Sequence, residues 1–234
     1  MKSIFTIFVT AFLFSSVFVS SVDAQITNSD IYKDMGDITN SNVIRGSQQT
    51  ELLGSPYIFE EWVLGRVKHT NRWTAGMLIK IDTYHNVLEV KGSLDSESIY
   101  VGIEDIQEVL LETPDGDKLF RNSFDSDDRN VNKDTLLEII YDGETKLVKH
   151  HRIRSIPEQG GYGSANRTER LVRSEEMYYL EDGKLKTLRT NRRNVLSALS
   201  NHRNAVSTYV SENNLSYNNE KHLIKIFSFF DSLD

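Results

Sequence analysis

Apolar and polar residues alternate with a period of two along much of the chain after Ser55. In the clearest run, Met77, Ile79 and Ile81 alternate with positions 78, 80 and 82. This period indicates a β-strand, because successive strand side chains point to opposite faces of a sheet. β-forming runs predict further strands at Trp62–Val67, Val87–Val90 and Ile99–Val101.

Three Asp-Gly pairs each lie between two runs of β-forming residues. Asp-Gly accepts the positive φ angles of tight hairpin turns, so each pair predicts a β-hairpin. The flanking runs are Val109–Leu111 with Leu119–Phe120, Leu136–Tyr141 with Leu147–Val148, and Met177–Leu180 with Leu185–Leu188. Three hairpins in one chain predict an antiparallel β domain.

From Thr190 the apolar spacing changes to that of a helix. We predict three short helices that begin after Thr190, Ser200 and Asn218, whose side chains can cap a helix N-terminus. Asn213-Asn214 should end the second helix, because Asn accepts the left-handed conformation found there. The third carries an apolar stripe at Leu223, Ile226, Phe227 and Phe230. Helices this short need a packing partner.

These patterns predict an α+β fold, in which an antiparallel β domain, barrel-like or sandwich, precedes a C-terminal cluster of three short helices. The expected organisation is a signal peptide at 1–24, a flexible leader at 25–54 and a β domain at 55–189. The helical segment 190–234 should pack on the β domain. The leader is rich in Asn, Ser and Gln and could include one short strand.

The first 24 residues have the order of a secretory signal. Lys2 supplies a positive start, Ile4 to Val19 is almost wholly apolar, and Val22-Asp23-Ala24 ends in a small residue. A membrane anchor is the alternative, but the apolar run is shorter than the roughly 20 residues that span a bilayer. We therefore expect an exported protein, periplasmic or extracellular, whose mature chain begins near Gln25.

Composition narrows the class of protein further. The chain has no Cys, so it can form neither disulfides nor the lipid-linked N-terminus of a bacterial lipoprotein. Its net charge of −7 is a poor match for nucleic-acid binding, which relies on basic surfaces. No apolar run after the signal is long enough for a transmembrane span.

The sequence contains no motif that identifies a catalytic residue, a metal ligand or a cofactor site. G-x-S-x-G, H-E-x-x-H and P-loop patterns do not occur. His150 and His151 are adjacent, followed by Arg152, and would point to opposite faces of a strand. This stretch indicates either an anion-binding basic strand or a solvated strand face. We predict no catalytic residue, no metal and no cofactor.

Two loops could carry a ligand. The acidic loop from Asp125 to Asn130 resembles a calcium loop but departs from that pattern at three places, so a weak calcium site and a charged loop tip are the alternatives. The glycine-rich loop Gly160–Ser164 lacks the residues that bind phosphate, and either it presents Tyr162 at a functional surface or it is a connector.

Surface aromatic and basic residues give the remaining candidates. Five aromatic residues could stack on a carbohydrate, although strand aromatics more often pack in a core: Tyr57, Trp62, Trp73, Tyr84 and Tyr162. Trp73 beside Arg72, and Tyr162 in the glycine-rich loop, are the first to test for exposure. A basic group near the start of the helices could meet an acidic partner or lipid headgroups, or could be ordinary surface charge. It comprises Lys184, Lys186, Arg189, Arg192 and Arg193.

Two stretches carry a family resemblance. Gly54–Trp62 followed by Gly65-Arg66-Val67, and the C-terminal part Gly183–Leu233, resemble a group of uncharacterised exported proteins typical of Bacteroidota. The resemblance covers about a third of the chain and implies an envelope location. It implies no activity, so no functional residue is carried over. Asp115–Asn130 and the loop at Gly160 have no counterpart in it.

We therefore expect a non-enzymatic binding or interaction protein of the cell envelope, with an envelope protein or a glycan as its partner. Its candidate binding residues are Trp73, Arg72, Tyr162, His150, His151 and Arg152. One alternative is a hydrolase whose site is assembled from distant residues. The other is a structural envelope protein without a small ligand.

Overall fold

The computed structural model describes residues 51–104, 106–158 and 168–233. The predicted signal peptide, leader residues 25–50 and Tyr162 with its glycine-rich loop lie outside the described residues. Predictions made for those segments therefore stay predictions.

The described residues form thirteen strands in one sheet. The first seven are β1 (Glu51–Leu53), β2 (Val63–His69), β3 (Arg72–Trp73), β4 (Met77–Asp82), β5 (Val87–Lys91), β6 (Ile99–Gly102) and β7 (Glu108–Thr113). The other six are β8 (Gly116–Arg121), β9 (Asp125–Ser126), β10 (Leu137–Tyr141), β11 (Leu147–Pro157), β12 (Thr168–Glu181) and β13 (Lys184–Leu188).

The strands follow the order β6-β5-β4-β2-β7-β8-β10-β11-β12-β13-β9, with β3 beside β2 and β1 beside β12. Most neighbours are antiparallel, as predicted, but β1–β12 and β13–β9 are parallel. The path has two ends, β6 and β9, so the sheet is open. The sequence-based choice between a barrel and a sandwich is thus replaced by one large mixed sheet.

All three predicted hairpins are present, joining β7 to β8, β10 to β11 and β12 to β13. At the last turn both Asp182 and Gly183 have positive φ angles, 49° and 77°. This is the backbone conformation for which Asp-Gly is favoured in two-residue hairpins.

The end of the predicted leader contains a short strand, which the sequence analysis left open. Glu51–Leu53 forms β1 and pairs with Thr168–Arg170 of β12. Gly54 then takes a positive φ of 104° beside Leu171. These residues are therefore joined to the sheet by backbone pairing, and the division at residue 54 stays a prediction.

Three C-terminal helices follow the sheet: α1 (Arg192–Ala198), α2 (Arg203–Glu212) and α3 (Glu220–Asp231), with a 3-10 turn at Ser200–His202. Asn213 caps the end of α2, and Asn214 has a φ of 51°, as predicted. The predicted N-caps are wrong by one residue or more. Asn191 and Asn219 cap α1 and α3, and His202 precedes α2 without a side-chain cap.

The described residues form three buried clusters. The first covers one face of β2 and β4–β8 and includes Val67, Ile79 and Phe120. In the second, the helices pack on β10–β13, and the predicted stripe Leu223, Ile226, Phe227 and Phe230 is buried there. The third lies on the opposite face of β10–β13, under the segment that contains Phe124 and Val131.

The helices can be compared with the length and hydropathy of a membrane span. None of the helices in the described part of the chain combines the length and apolar character needed to cross a bilayer.

Candidate functional site

His150 and His151 point to opposite faces of β11, as the alternation predicted. Both are buried, with 6% and 7% of their surface exposed, so the face is not the solvated one considered as an alternative. Each histidine lies in a separate cluster of charged groups.

His151 belongs to a cluster centred on Glu138 of β10, a carboxylate that is only 3% exposed. Glu138 accepts hydrogen bonds from His151 Nε2 and Lys118 Nζ, each at 2.5 Å. Burial would raise the pKa of Glu138, but these hydrogen bonds and the nearby charge of Lys149 outweigh it and lower the pKa to about 2. Glu138 is therefore ionised at neutral pH.

The same cluster ties the helices to the sheet. Lys149 of β11 forms an ion pair with Glu220 at the start of α3 and lies 3.9 Å from Glu138. Burial would lower the pKa of Lys149, but the surrounding carboxylates raise it. The charge of Lys149 is therefore neutralised by carboxylates of the protein and is not available to bind an external anion.

His150 belongs to the other face of β11, with Tyr178, Asp128 and Glu176. The Tyr178 hydroxyl donates to Asp128 at 2.8 Å or Glu176 at 2.9 Å, and Arg152 lies 4.0 Å from Glu176. Burial lowers the pKa of His150 to about 4, and its Nδ1 has no hydrogen-bond partner among the described residues. This imidazole is neutral at pH 7.

The sequence left open a hydrolase in which a histidine and a carboxylate share a pocket. Among the cavities of the described part of the molecule, those of about 590, 580 and 510 Å³ have no histidine in their lining. His150 and His151 are both buried, so their two clusters are charge networks of the interior.

A different surface gathers exposed aromatic residues. It is the face of β2–β6 that lies opposite the first buried cluster, and we call it the aromatic face. Its members are Tyr57, Trp62, Leu64, Arg66, Lys68, Trp73, Lys80, Glu89, Lys91, Ser98 and Tyr100. β3 pairs with β2 on the same edge as β4. With strands about 4.8 Å apart, the four strands β6-β5-β4-β2 span roughly 14 Å.

Glu89 organises one half of the aromatic face. It is 8% exposed and accepts hydrogen bonds from the Tyr57 hydroxyl and the Ser98 hydroxyl, both at 2.5 Å. Tyr100 lies directly across from it on β6. Burial and the neighbouring Glu89 carboxylate raise the pKa values of both tyrosines, so they stay protonated donors.

Cationic side chains lie against both indole rings. Lys91 Nζ is 4.3 Å and Lys80 Nζ 5.3 Å from the ring centroid of Trp62. Arg66 and Lys68 each approach the ring of Trp73 to 5.9 Å. At these distances each contact contributes about 0.5 to 1 kcal/mol to the arrangement of cations around the two rings.

The structure separates the residues that the sequence grouped as candidates. Trp73 is 40% exposed and lies on the aromatic face. Arg72 pairs with His69 and points the other way, because neighbouring strand residues alternate. Arg152 belongs to the His150 cluster, and Tyr162 lies outside the described residues. The five described candidates therefore do not share one surface, and a binding role for any of the six residues stays a prediction.

The acidic loop and the basic group partly neutralise each other. Asp127 accepts hydrogen bonds from Lys184 at 3.1 Å and Lys186 at 3.4 Å, and these bonds lower its pKa. Across the described residues, no group of three His, Asp or Glu side chains is arranged to hold a metal ion. Arg189 and Arg193 of the basic group line a separate cleft.

Sequence reasoning missed most of the aromatic face. Lys80, Glu89 and Lys91 occupy the polar positions of alternating strands, which a sequence marks only as outward-facing. The available signal was the combination of these charges with Trp62, Leu64 and Tyr100 in equally outward positions. The pairing order β6-β5-β4-β2 was needed to place them together.

The chain was also compared with known proteins. No protein-family model matches it, and neither the curated proteins nor the solved structures yield a match.

Proposed function

We propose that this protein is an exported, non-enzymatic binding protein of the cell envelope, and that its partner docks on the aromatic face. The observation that carries the proposal is the shared location of three exposed apolar side chains. Leu64, Trp73 and Tyr100 are 47%, 40% and 50% exposed and lie on the same face of the sheet. Single exposed apolar residues are ordinary, and these three are spread along the face, so they offer separate contact points for one extended partner segment.

The residue types support a protein interface. Trp, Tyr and Arg are the residues most often responsible for binding energy in such interfaces. Here Trp73 contacts Arg66 and Lys68, and Tyr100 lies across from Glu89. All three of these residue types are thus presented on the same face of a rigid sheet, which lowers the entropy lost on binding.

The charges on the aromatic face indicate an acidic protein segment as the partner. Arg66 has no carboxylate within 4.0 Å among the described residues, and the ammonium group of Lys80 lies over the rings of Tyr57 and Trp62. Lys91 is buried and donates to the Leu94 carbonyl at 2.8 Å, so it adds positive potential but no open contact. A glycan would stack on open aromatic rings, but cations already lie against both indoles. Leu64 also offers no hydrogen bond to a sugar. An acidic segment with apolar residues complements both properties.

A capture experiment with matched variants tests this proposal. The immobilised mature chain is incubated with detergent-solubilised native envelope fraction, and bound protein is identified by mass spectrometry. We expect one protein to bind the wild type and the Leu64→Ser, Trp73→Ser, Tyr100→Ser triple variant to retain less than about a tenth of it, because each lost anchor residue weakens binding by more than about 1 kcal/mol.

The matched control is the double variant Ile156→Ser, Leu233→Ser, which removes exposed apolar residues away from the aromatic face. Ile156 is 37% and Leu233 36% exposed. It should capture the same protein as the wild type does, and added salt should weaken that capture. Equal capture by the triple variant, or recovery of a glycan instead of a protein, would contradict the proposal.

A further inference from the structure

A cleft of about 580 Å³ lies where the chain passes from the sheet into the helices. It is lined by Arg189, Arg193, Asn194, Ser197 and Arg203. Three arginines, one asparagine and one serine thus line one concave space, and no acidic residue lines it. This volume falls within the range of about 300 to 1,000 Å³ that is usual for small-molecule sites.

Local structure explains why the arginines converge. Arg189 follows the last residue of β13, and the chain turns back through Asn191, whose amide donates to the Arg189 carbonyl at 2.8 Å. Arg193 and Ser197 are four residues apart on α1 and therefore share one face. The 3-10 turn at Ser200–His202 then places Arg203 at the start of α2.

The opposite side of α1 fixes this orientation. Val195 and Leu196 are buried against the second cluster, which leaves the face of Arg193 and Ser197 toward solvent.

The three arginines have no carboxylate partner within 4.0 Å in the part of the chain that the structure describes. Other basic residues nearby do: Lys184 and Lys186 pair with Asp127, and Lys149 pairs with Glu220. The chain as a whole carries a net charge of −7. The cleft is therefore locally positive, although the chain as a whole is negatively charged.

The nearest acidic groups are already engaged elsewhere. Arg189 also borders the cavity of about 510 Å³ that Glu175 and Glu176 line. Glu175 lies 3.4 Å from His151, and Glu176 accepts the Tyr178 hydroxyl. Neither carboxylate forms an ion pair with Arg189.

We propose that this cleft binds a phosphate-bearing ligand of about sugar-phosphate size. Guanidinium groups match phosphate oxygens in geometry and can form two parallel hydrogen bonds to them, which an ammonium group cannot do. The Ser197 hydroxyl and the Asn194 amide supply polar contacts for the rest of the ligand. The site is separate from the aromatic face and goes beyond the proposed function.

The phosphate could be carried by a soluble sugar or by a lipid headgroup, and two probes distinguish these sources. Glucose 6-phosphate is titrated into the mature chain by calorimetry at low ionic strength, with glucose as the uncharged control. Vesicles containing phosphatidylglycerol are tested in parallel by co-sedimentation, against phosphatidylcholine vesicles. Binding to only one probe identifies the source of the phosphate.

Variants at the exposed arginines locate the site. Arg193→Gln and Arg203→Gln should each weaken binding of whichever probe binds by about tenfold or more, because each variant loses a charge-assisted hydrogen bond to the phosphate. The matched control is Arg192→Gln, which removes the same charge from a neighbouring position that contacts Ser207 instead of the cleft. It should change affinity by less than about threefold.

Three results would overturn the proposal. They are saturable binding of neither probe, equal binding of glucose and glucose 6-phosphate, and an equal loss of affinity in Arg192→Gln and the two cleft variants. All substituted residues are exposed, so thermal melts should match the wild type. The capture experiment on the aromatic face is independent of this outcome.

Discussion

At the scale of single residues, β11 carries two histidines with different surroundings. His151 faces Glu138, whose carboxylate is paired on several sides, whereas His150 is buried with an unpartnered Nδ1. Removing Glu138 would leave buried cations without their counter-charge, which is a costly change in a protein interior. His150 differs, because burial favours its neutral ring and no counter-charge is required.

The burial of His150 predicts a specific pH dependence of stability. Its pKa is about 4 in the fold and about 6.5 in the unfolded chain. Between these values the unfolded state binds the extra proton, so the stabilising contribution is complete above about pH 6.5 and is lost as the pH falls toward 4. At pH 5 the loss is roughly 2 kcal/mol.

The charged and titratable groups around His150 are Asp128, His151, Arg152 and Glu176. Urea unfolding of the wild type and His150→Leu at pH 7 and pH 5 measures the effect. The wild type should lose roughly 2 kcal/mol more than the variant between the two pH values. Glu138 does not interfere, because its lowered pKa of about 2 keeps it ionised in this window. Identical pH dependence in both proteins would refute the account of His150.

The sequence allowed half of this picture to be predicted. Alternation along a strand was sufficient to place residues 150 and 151 on opposite faces. Their burial could not be predicted, because a run of Lys, His and Arg resembles a solvated edge. The groups that cover or neutralise it, Glu138, Asp128 and Glu220, come from three other parts of the chain.

At the scale of elements, local signals were reliable for hairpins and less so for helix starts. Asp-Gly determines a turn through its own backbone preferences, so all three hairpins were found. At each of two helix starts, two adjacent residues could serve as the N-cap: Thr190 or Asn191 for α1, and Asn218 or Asn219 for α3. Asn218 accepts a hydrogen bond from Ser216 Oγ at 2.5 Å, which leaves Asn219 to cap α3 by accepting from the His222 amide.

This assignment predicts different costs for two adjacent substitutions. Asn219→Ala should lower the free energy of unfolding by about 1 kcal/mol, because the first turn of α3 loses its N-cap. Asn218→Ala, the matched control, should cost less than about 0.5 kcal/mol, as substitutions away from such features do. Urea denaturation of both variants gives the comparison. A larger loss for Asn218→Ala would assign the cap to that residue instead.

The parallel pairings were the elements that local signals could not reveal. β1 pairs with β12 more than a hundred residues later in the chain, and the two-residue β9 pairs with β13. Neither short strand carries a clear alternation, and no turn connects it to its partner. Pairings of this kind depend on the whole fold.

At the scale of the whole molecule, the α+β class with C-terminal helices was predicted correctly, and the open sheet was not. Hairpin signals predict which consecutive strands pair. They do not predict whether the first and last strands of the sheet pair with each other and close it into a barrel. The open path puts β6, β5, β4 and β2 side by side, with β3 beside β2 on the β4 edge. One face of these strands packs on the first buried cluster, and the aromatic face is the other. The aromatic face is a product of this arrangement.

The functional proposal follows from that same scale. Trp73 was identified from the sequence as a candidate contact residue, but its partners Leu64 and Tyr100 lie on strands that only the sheet order brings together. The cleft at Arg189, Arg193 and Arg203 likewise combines the end of a strand with two helices.

Site-specific photocrosslinking tests the central claim most directly. The mature chain carries benzoylphenylalanine in place of Tyr100, on the aromatic face, or in place of Ile156, which is also exposed and lies on β11. After irradiation in native envelope, position 100 should crosslink to one protein, and excess unlabelled wild-type chain should suppress the product. Position 156 should give none. A product of equal yield from both positions, or no product from position 100, would contradict the claim that the aromatic face binds a protein partner.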